Sequence, residues 1–261
     1  MKRVSIVMPS YLEEKRIGKT LRVFSDFFER ASKERGFLYE LLIVINGPRD
    51  GTEKIIKEAQ KKNRNIKYLD FERGGKGFAV MEGFKDALKR DNDLIGFVDA
   101  DLATGPDQFF RLIESIGSAD GAIANRYSKR SKIIPAFSFR RNIVSKVFNL
   151  MVRSLFLMNY RDTQCGAKLF SRRAIEMLVK SAGMTEWAFD VELLCLMSNR
   201  GYRIAQVPTV WRDIGGGTIK IGKISLQMMF SIVQLRIKKS LFRKLLRPLK
   251  PIVNPVWESL K

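Results

Sequence analysis

The chain alternates short apolar runs with stretches in which apolar residues recur every three or four positions. Arg3–Met8, Tyr39–Ile45, Ile66–Leu69 and Leu94–Val98 read as buried strands. Between them, Ile17, Leu21, Phe24 and Phe28 mark one helix, Ile55, Ile56 and Ala59 a second, and Ala79, Phe84 and Leu88 a third. Pro9 is expected to end the first strand, and Asn46-Gly47-Pro48-Arg49-Asp50-Gly51-Thr52 to form a turn. The second half adds strands at Ala122–Ala124, Arg203–Ala205 and Val207–Arg212, and helices at Ile143–Met158 and Trp187–Met197. Asp162–Phe170 reads as a loop and strand between them. Strands alternating with helices predict an α/β fold, with a mostly parallel central sheet and helices on both faces.

Two stretches carry chemistry. The run Leu94–Val98 ends directly in Asp99-Ala100-Asp101. Paired carboxylates at a strand's C-terminal end lie in the crevice where open α/β sheets bind ligands, and a hard cation such as Mg²⁺ or Mn²⁺ takes carboxylate and phosphate oxygens. The alternative is a helix N-cap with a spare surface acid. The second stretch is Arg73-Gly74-Gly75-Lys76-Gly77 before a helix. Glycines there let backbone N–H groups approach phosphate, and Lys76 adds charge; the alternative is a flexible turn. It is neither GxxxxGK[ST] nor a GxGxxG after the first strand.

Composition narrows the partner. Lysine and arginine exceed the acids by 21 charges, so an anionic partner is expected: a phosphate-rich substrate, an anionic membrane or nucleic acid. There is no histidine, which removes imidazole as base or ligand. Cys165 and Cys195 make no disulfide framework, which fits a reducing compartment. The chain opens on a strand with no evident signal peptide, and no apolar run reaches the ~18 residues of a membrane span. No acid occurs from Gly121 to Arg161, where nine basic residues surround an apolar helix, nor between Asp213 and Glu258. The second stretch carries a polar stripe of Gln227, Ser231, Gln234 and Lys238 on an otherwise apolar helix with a basic end. That pattern fits a helix in the plane of a membrane surface, or one docked on the domain or a partner.

The motifs Pro9-x-Tyr11-x-Glu13, Asn46-Gly-x-x-Asp50-Gly-Thr52, Gly75-Lys76-Gly77 and Asp99-Ala-Asp101, in this order, resemble the nucleotide-sugar-binding half of family 2 glycosyltransferases with the GT-A fold. Asp162-Thr-Gln-Cys-Gly-Ala-Lys168 and Trp187-Ala-Phe-Asp190-Val-Glu192 resemble the dolichyl-phosphate glucose and mannose synthase branch, the glucose type most. The family usually has Asn where this chain has Leu12, and Asp where it has Asn46.

The resemblance implies a GT-A domain over residues 1–220, divided into a nucleotide-sugar half (1–125) and an acceptor half (126–220), followed by a basic tail (221–261). It implies metal-dependent, inverting transfer from a nucleotide sugar, UDP-hexose before GDP-mannose, to dolichyl or polyprenyl phosphate. Asp99 and Asp101 would hold Mg²⁺ or Mn²⁺. Pro9, Tyr11, Glu13, Asn46, Lys76, Gly77, Asp99, Arg126, Thr218 and Lys220 would face the donor. Asp99, Asp101, Asp190, Gln164 and Lys168 are the candidate catalytic residues. Arg126, Arg140 and Lys168 would hold the acceptor phosphate. The protein is expected to sit peripherally on the cytoplasmic face of the cell membrane, without nucleic acid as a partner. Two other readings stand beside this one: a hydroxyl acceptor with Asp190 as base, and a basic nucleic-acid-binding protein.

Overall fold

The computed structural model describes residues 1–181 and 188–214, together with positions 232, 235 and 236. In chain order the elements are β1 (Arg3–Ser10), α1 (Ile17–Arg35), β2 (Leu38–Asn46), α2 (Thr52–Lys62), β3 (Ile66–Phe71), α3 (Lys76–Ala87) and β4 (Leu94–Val98). There follow α4 (Pro106–Ser115), β5 (Gly121–Asn125), β6 (Lys132–Ile134), α5 (Phe139–Phe156), β7 (Ala167–Ser171), α6 (Arg172–Ser181), α7 (Phe189–Asn199), β8 (Ile204–Pro208) and β9 (Val210–Arg212).

Seven strands form the main sheet in the order β3-β2-β1-β4-β7-β5-β8. Only β7 runs against its neighbours, antiparallel to both β4 and β5. The sheet is covered on both faces, which is why its strands read as continuous apolar runs. Val4, Ile6 and Met8 of β1 and Leu41 and Ile43 of β2 pack under Leu21, Phe24 and Phe28 of α1 and Phe109 of α4. The alternate positions Val7, Leu42 and Val44 pack on the other side against Val80 and Phe84 of α3 and Leu193 of α7. A third cluster joins Val152 and Phe156 of α5 to Val191 and Leu194 of α7, and it takes in Ile232 and Leu235. The stretch expected as a separate tail thus contributes two core residues.

Two expectations need correction. The first strand runs through Pro9 to Ser10, because its pairing with β4 ends at Val7. Beyond that point β1 has a single strand neighbour, where a missing N–H is tolerated. The strands expected at Arg203–Ala205 and Val207–Arg212 divide elsewhere: β8 runs unbroken across Ile204–Pro208 in the main sheet, and β9 pairs with β6 in a small second sheet. No helix among the described residues is long and apolar enough to cross a membrane.

Candidate active site

The loops after β1, β2 and β4 emerge at one edge of the sheet and are laced together. The Asp50 carboxylate accepts hydrogen bonds from the Thr52 N–H (2.9 Å) and the Glu14 N–H (3.2 Å). The Thr52 hydroxyl accepts from the Glu13 N–H (3.1 Å). The turn motif after β2 therefore fixes the loop that carries Tyr11 and Glu13. Gly47, at φ 104°, is where the Tyr11 ring crosses the turn: a Cβ there would fall 2.5 Å from the ring. Tyr11 remains 52% exposed, so a flat apolar surface is offered at this edge. Asn46 does not reach that surface. It is 3% exposed, and with its amide oriented to suit its neighbours the nitrogen donates to the Ser10 carbonyl (3.1 Å) and the oxygen accepts from the Gly75 N–H (3.1 Å). An aspartate could not make the first of these bonds; Asn46 ties the glycine turn to the end of β1 rather than facing a ligand.

Asp99 and Asp101 stand at the end of β4 as expected. The Asp99 N–H donates to the Gly166 carbonyl (3.1 Å), and a Cβ on Gly166 would fall 1.8 Å from Asp99 Oδ2. Lys76 Nζ lies 2.7 Å from Asp99 Oδ1 and 3.7 Å from Asp190 Oδ2. Withdrawal from water works against the Lys76 charge, but Asp190 and then Asp99 outweigh it and raise its pKa. Asp101 Oδ1 accepts from the Ala103 N–H (2.9 Å) across Leu102, whose φ is 63°. Burial raises the Asp101 pKa, and the charge of Asp99 adds to it. Burial likewise raises that of Glu13, which Asp101 and Asp99 reinforce and its ion pair with Arg16 (2.8 Å) opposes. Three carboxylates thus repel one another at one edge, where a cation would relieve them. No group of three or more His, Cys, Asp or Glu among the described residues is placed to hold a metal by itself. The pair Asp99 and Asp101 fits a hard cation that takes its remaining oxygens from a phosphorylated ligand and water.

Several expected ligand-facing residues turn inward. Lys168 is fully buried on β7; its Nζ donates to Asp190 Oδ1 (2.5 Å) and to the Cys165 carbonyl (2.7 Å). It is not available to an acceptor phosphate. Arg126 is committed to Asp162: Nε and the backbone N–H donate to Oδ2 (2.8 and 2.9 Å), and Nη2 to Oδ1 (2.9 Å). Asp162 Oδ1 also accepts from the Gln164 and Cys165 N–H groups (3.2 and 3.1 Å). Burial pushes the Asp162 pKa up, but the Arg126 charge and its hydrogen bonds hold it below the usual range. Gly77, expected at a phosphate, is a packing glycine: a Cβ there would meet the Phe189 ring at 3.0 Å. Burial pushes the Cys165 thiol up to about 11, in keeping with a small apolar residue.

Gln164 keeps a buried side-chain nitrogen with no hydrogen-bond partner among the described residues, a donor left for a ligand or water. Thr218, Lys220 and the side chain of Arg140 lie outside the described residues. Pro9 is the penultimate residue of β1, paired with Val44 of β2.

One residue was not singled out from sequence. The N–H of Arg212 on β9 donates to the Ala103 carbonyl (2.8 Å), which brings Trp211 alongside the Asp101 loop. The Arg141 guanidinium lies over the rings of Phe137 (4.3 Å) and Trp211 (5.4 Å) and pairs with Asp213 (2.5 Å). It is a partly exposed cation close to the carboxylate edge. In the sequence its signals are its place among the nine basic residues of the acid-free stretch and Ser138, the cap that starts α5 and accepts from the Arg141 N–H (3.4 Å).

Comparison with known proteins agrees with this geometry. The sequence profile of glycosyl transferase family 2 matches residues 5–178. The chain is 31% identical over 245 residues to a dolichyl-phosphate beta-glucosyltransferase of Dictyostelium discoideum, covering 90% of this chain and 74% of that one. It is 33% identical over 227 residues to the enzyme of that name from Drosophila melanogaster, covering 83% and 69%. Glucosyl-3-phosphoglycerate synthase of Mycobacterium tuberculosis, solved with UDP, superposes with a TM-score of 0.67 at 18% identity, covering 90% of this chain and 80% of that one. The mannosyltransferase PcManGT of Pyrobaculum calidifontis, solved with GDP-Man and Mn²⁺, gives 0.61 at 16%, covering 98% and 69%. With a GT-A-type sheet, the Asp99–Asp101 pair at its β4 edge and these relatives, the chain belongs to glycosyl transferase family 2 and is a glycosyltransferase.

Proposed function

We propose that this enzyme transfers a hexose, with inversion, from UDP-hexose to a polyprenyl phosphate such as dolichyl phosphate, using Mg²⁺ or Mn²⁺. The observation that carries the reading is the grouping of Asp99, Asp101 and Lys76 at the β4 edge, where charge builds on a departing nucleoside diphosphate. When bound, the cation supplies Lewis-acid stabilisation of that leaving group. Asp99 and Asp101 hold it, and Lys76 adds a fixed positive charge beside it. The exposed ring of Tyr11 offers a stacking surface for the base, and the unpartnered amide nitrogen of Gln164 a donor for a sugar hydroxyl. The relatives named beta-glucosyltransferases support a glucosyl donor, and the neighbour solved with UDP supports a UDP-sugar.

The acceptor side is read from α5. With Lys168 and Arg126 each committed to a carboxylate, Arg141 becomes the cation for the acceptor phosphate, exchanging Asp213 for it. A phosphate acceptor arrives ionised and needs less base help than a hydroxyl. Behind Arg141, exposed Phe139 (80%), Ile143, Val147, Leu150 and Leu157 (87%) recur along one side of the helix. With the acid-free stretch around them, they support a helix lying on an anionic membrane surface, the place where the lipid chain resides. The acceptor half at 126–220, and a tail that adds basic charge beyond it, belong to the same reading, as does a position on the cytoplasmic face.

The test is transfer itself. The full chain is incubated with Mn²⁺, polyprenyl phosphate in detergent and radiolabelled UDP-glucose or GDP-mannose. Label is expected in the organic phase from UDP-glucose and not after chelation. Label passing only from GDP-mannose overturns the donor assignment, and transfer only to water-soluble acceptors overturns the lipid one.

A further inference from the structure

Lys168 stands in the middle of β7, opposite Phe97 of β4 and Ile123 of β5, with its whole side chain removed from water. A lysine so placed has to find its counter-charge inside the protein. It finds Asp190, in the first turn of α7, where the helix dipole also favours a carboxylate. The two oxygens of Asp190 are divided between two lysines: Oδ1 accepts from Lys168, and Oδ2 lies 3.7 Å from Lys76. Both ammonium groups lie over the same ring, that of Phe97, at 5.3 Å and 5.4 Å. Phe97 packs in turn against Phe189, the neighbour of Asp190, with ring centroids 6.1 Å apart. Charges therefore alternate in a line from the interior to the surface: Lys168, Asp190, Lys76, Asp99.

We propose that Lys168 and Asp190 are positioning residues, a buried ion pair that fixes the Lys76 ammonium beside Asp99, with neither side chain touching the acceptor. The inference rests on the reading of the Lys76–Asp99–Asp101 edge as the donor site. Lys168 engages one oxygen of Asp190, so Asp190 draws on Lys76 with the other alone. Lys76 is left at 2.7 Å from Asp99, the shorter of its two contacts. Without Lys168, Asp190 would hold an unshared buried charge and draw Lys76 inward, away from the phosphate edge. A carboxylate shared by two ammonium groups is also a poor general base. Burial works to raise the Asp190 pKa, but Lys168 and then Lys76 outweigh it and lower it. The hydroxyl-acceptor alternative, which needs Asp190 as base, is disfavoured on this ground, and an acceptor that brings its own negative charge is favoured.

The experiment is a double-mutant cycle on the full chain with Lys168→Met, Asp190→Asn and the combined variant. Three quantities are read: Tm, the affinity for UDP with Mn²⁺ by calorimetry, and the KM for polyprenyl phosphate at saturating donor. Lys168→Met is expected to lower Tm by on the order of 10 °C, because it strands a buried carboxylate. It should also weaken UDP by about tenfold, a loss of the size that one fixed charge contributes, and leave the acceptor KM within about twofold. The combined variant should regain most of the lost Tm, since no unpaired charge remains buried. A raised acceptor KM with unchanged UDP affinity would place Lys168 on the acceptor and overturn the proposal. So would a combined variant no more stable than Lys168→Met. If Lys168→Met yields no folded protein, folding of the combined variant supports the pair and its failure overturns it. Absence of UDP binding by the unaltered chain would count against the donor reading alone, because the Tm cycle reports on the ion pair without any ligand.

Discussion

Replacing Asp162 with asparagine removes one oxygen and one charge from a side chain that has no exposure at all. Oδ1 accepts three hydrogen bonds, from Arg126 Nη2 and the N–H groups of Gln164 and Cys165, and Oδ2 accepts two, from Arg126 Nε and its backbone N–H. An amide can keep its oxygen toward the first three donors only by turning its NH₂ against the other two. The Arg126 guanidinium, itself largely buried, then loses its counter-charge. Breaking a buried pair from one side costs about 3–5 kcal/mol. For a chain of this length that is a fall in Tm on the order of 10 °C, out of a total stability of about 5–15 kcal/mol. The same loop presents Gly166 to Asp99, so Mn²⁺-dependent UDP affinity should fall with stability. The pH dependence has a defined sign. The folded pKa of Asp162 lies below its unfolded value. Its contribution is therefore complete above about pH 4, and is lost as pH falls through the folded value. Urea unfolding of both proteins at pH 7 and pH 3 measures this: the gap between them should be widest at pH 7 and narrow in acid. A loss below about 1 kcal/mol at pH 7, the size of an exposed pair, would refute the reasoning.

Asp101→Ala should abolish transfer with Tm unchanged or higher, since it removes a crowded carboxylate; full turnover by the variant in chelator would remove the metal from the mechanism. Gly166→Ala should displace the Asp99 carboxylate, seen as weaker Mn²⁺-dependent UDP binding in calorimetry with far-UV circular dichroism unaltered. Leu12 sits at φ 53° with 46% of its surface exposed, so Leu12→Asn should relieve about 1 kcal/mol of left-handed strain at little cost in burial; a lower urea midpoint would contradict this. Val147→Glu with Leu150→Glu should reduce flotation with anionic vesicles, and high salt should weaken binding of the unaltered chain by screening; equal flotation of variant and parent would remove α5 from the membrane contact.

Residues 1–125 were legible because their signals are local. Leu94–Val98 is a strand to the residue, and the Asp-x-Asp that follows it needs no distant partner to be placed. The glycine and asparagine positions were harder, because a close approach and a ligand contact leave the same small residue in the sequence. Gly77 is small for the ring of Phe189, and Asn46 is an amide for the carbonyl of Ser10. The lysine and arginine roles failed for a different reason. Whether Lys168 and Arg126 face a ligand depends on whether a carboxylate more than twenty residues away has already taken them, and spacing carries no such information. Leu12 shows the converse: at φ 53° the Asn that the resemblance leads one to expect there has a backbone reason, since Asn tolerates the left-handed conformation better than Leu. Helices α4 and α6 carried no expectation, although Pro106 at the first helical position was a usable signal for α4.

The place of β7 sets a schedule for making the protein. Strands β1 to β4 have pairing partners among themselves, all of them within the chain up to Val98. Strand β5 follows soon after in the chain, yet it does not pair with β4; the gap between them is filled by β7, which arrives only with Ser171. At a synthesis rate of ~5–20 residues per second the wait lasts a few seconds. Throughout it, the inner edges of β4 and β5 are open to any other extended chain. A nascent chain stalled between Asn125 and Ala167 should therefore be the aggregation-prone species in the cell. Release after Ser171 closes both edges at once.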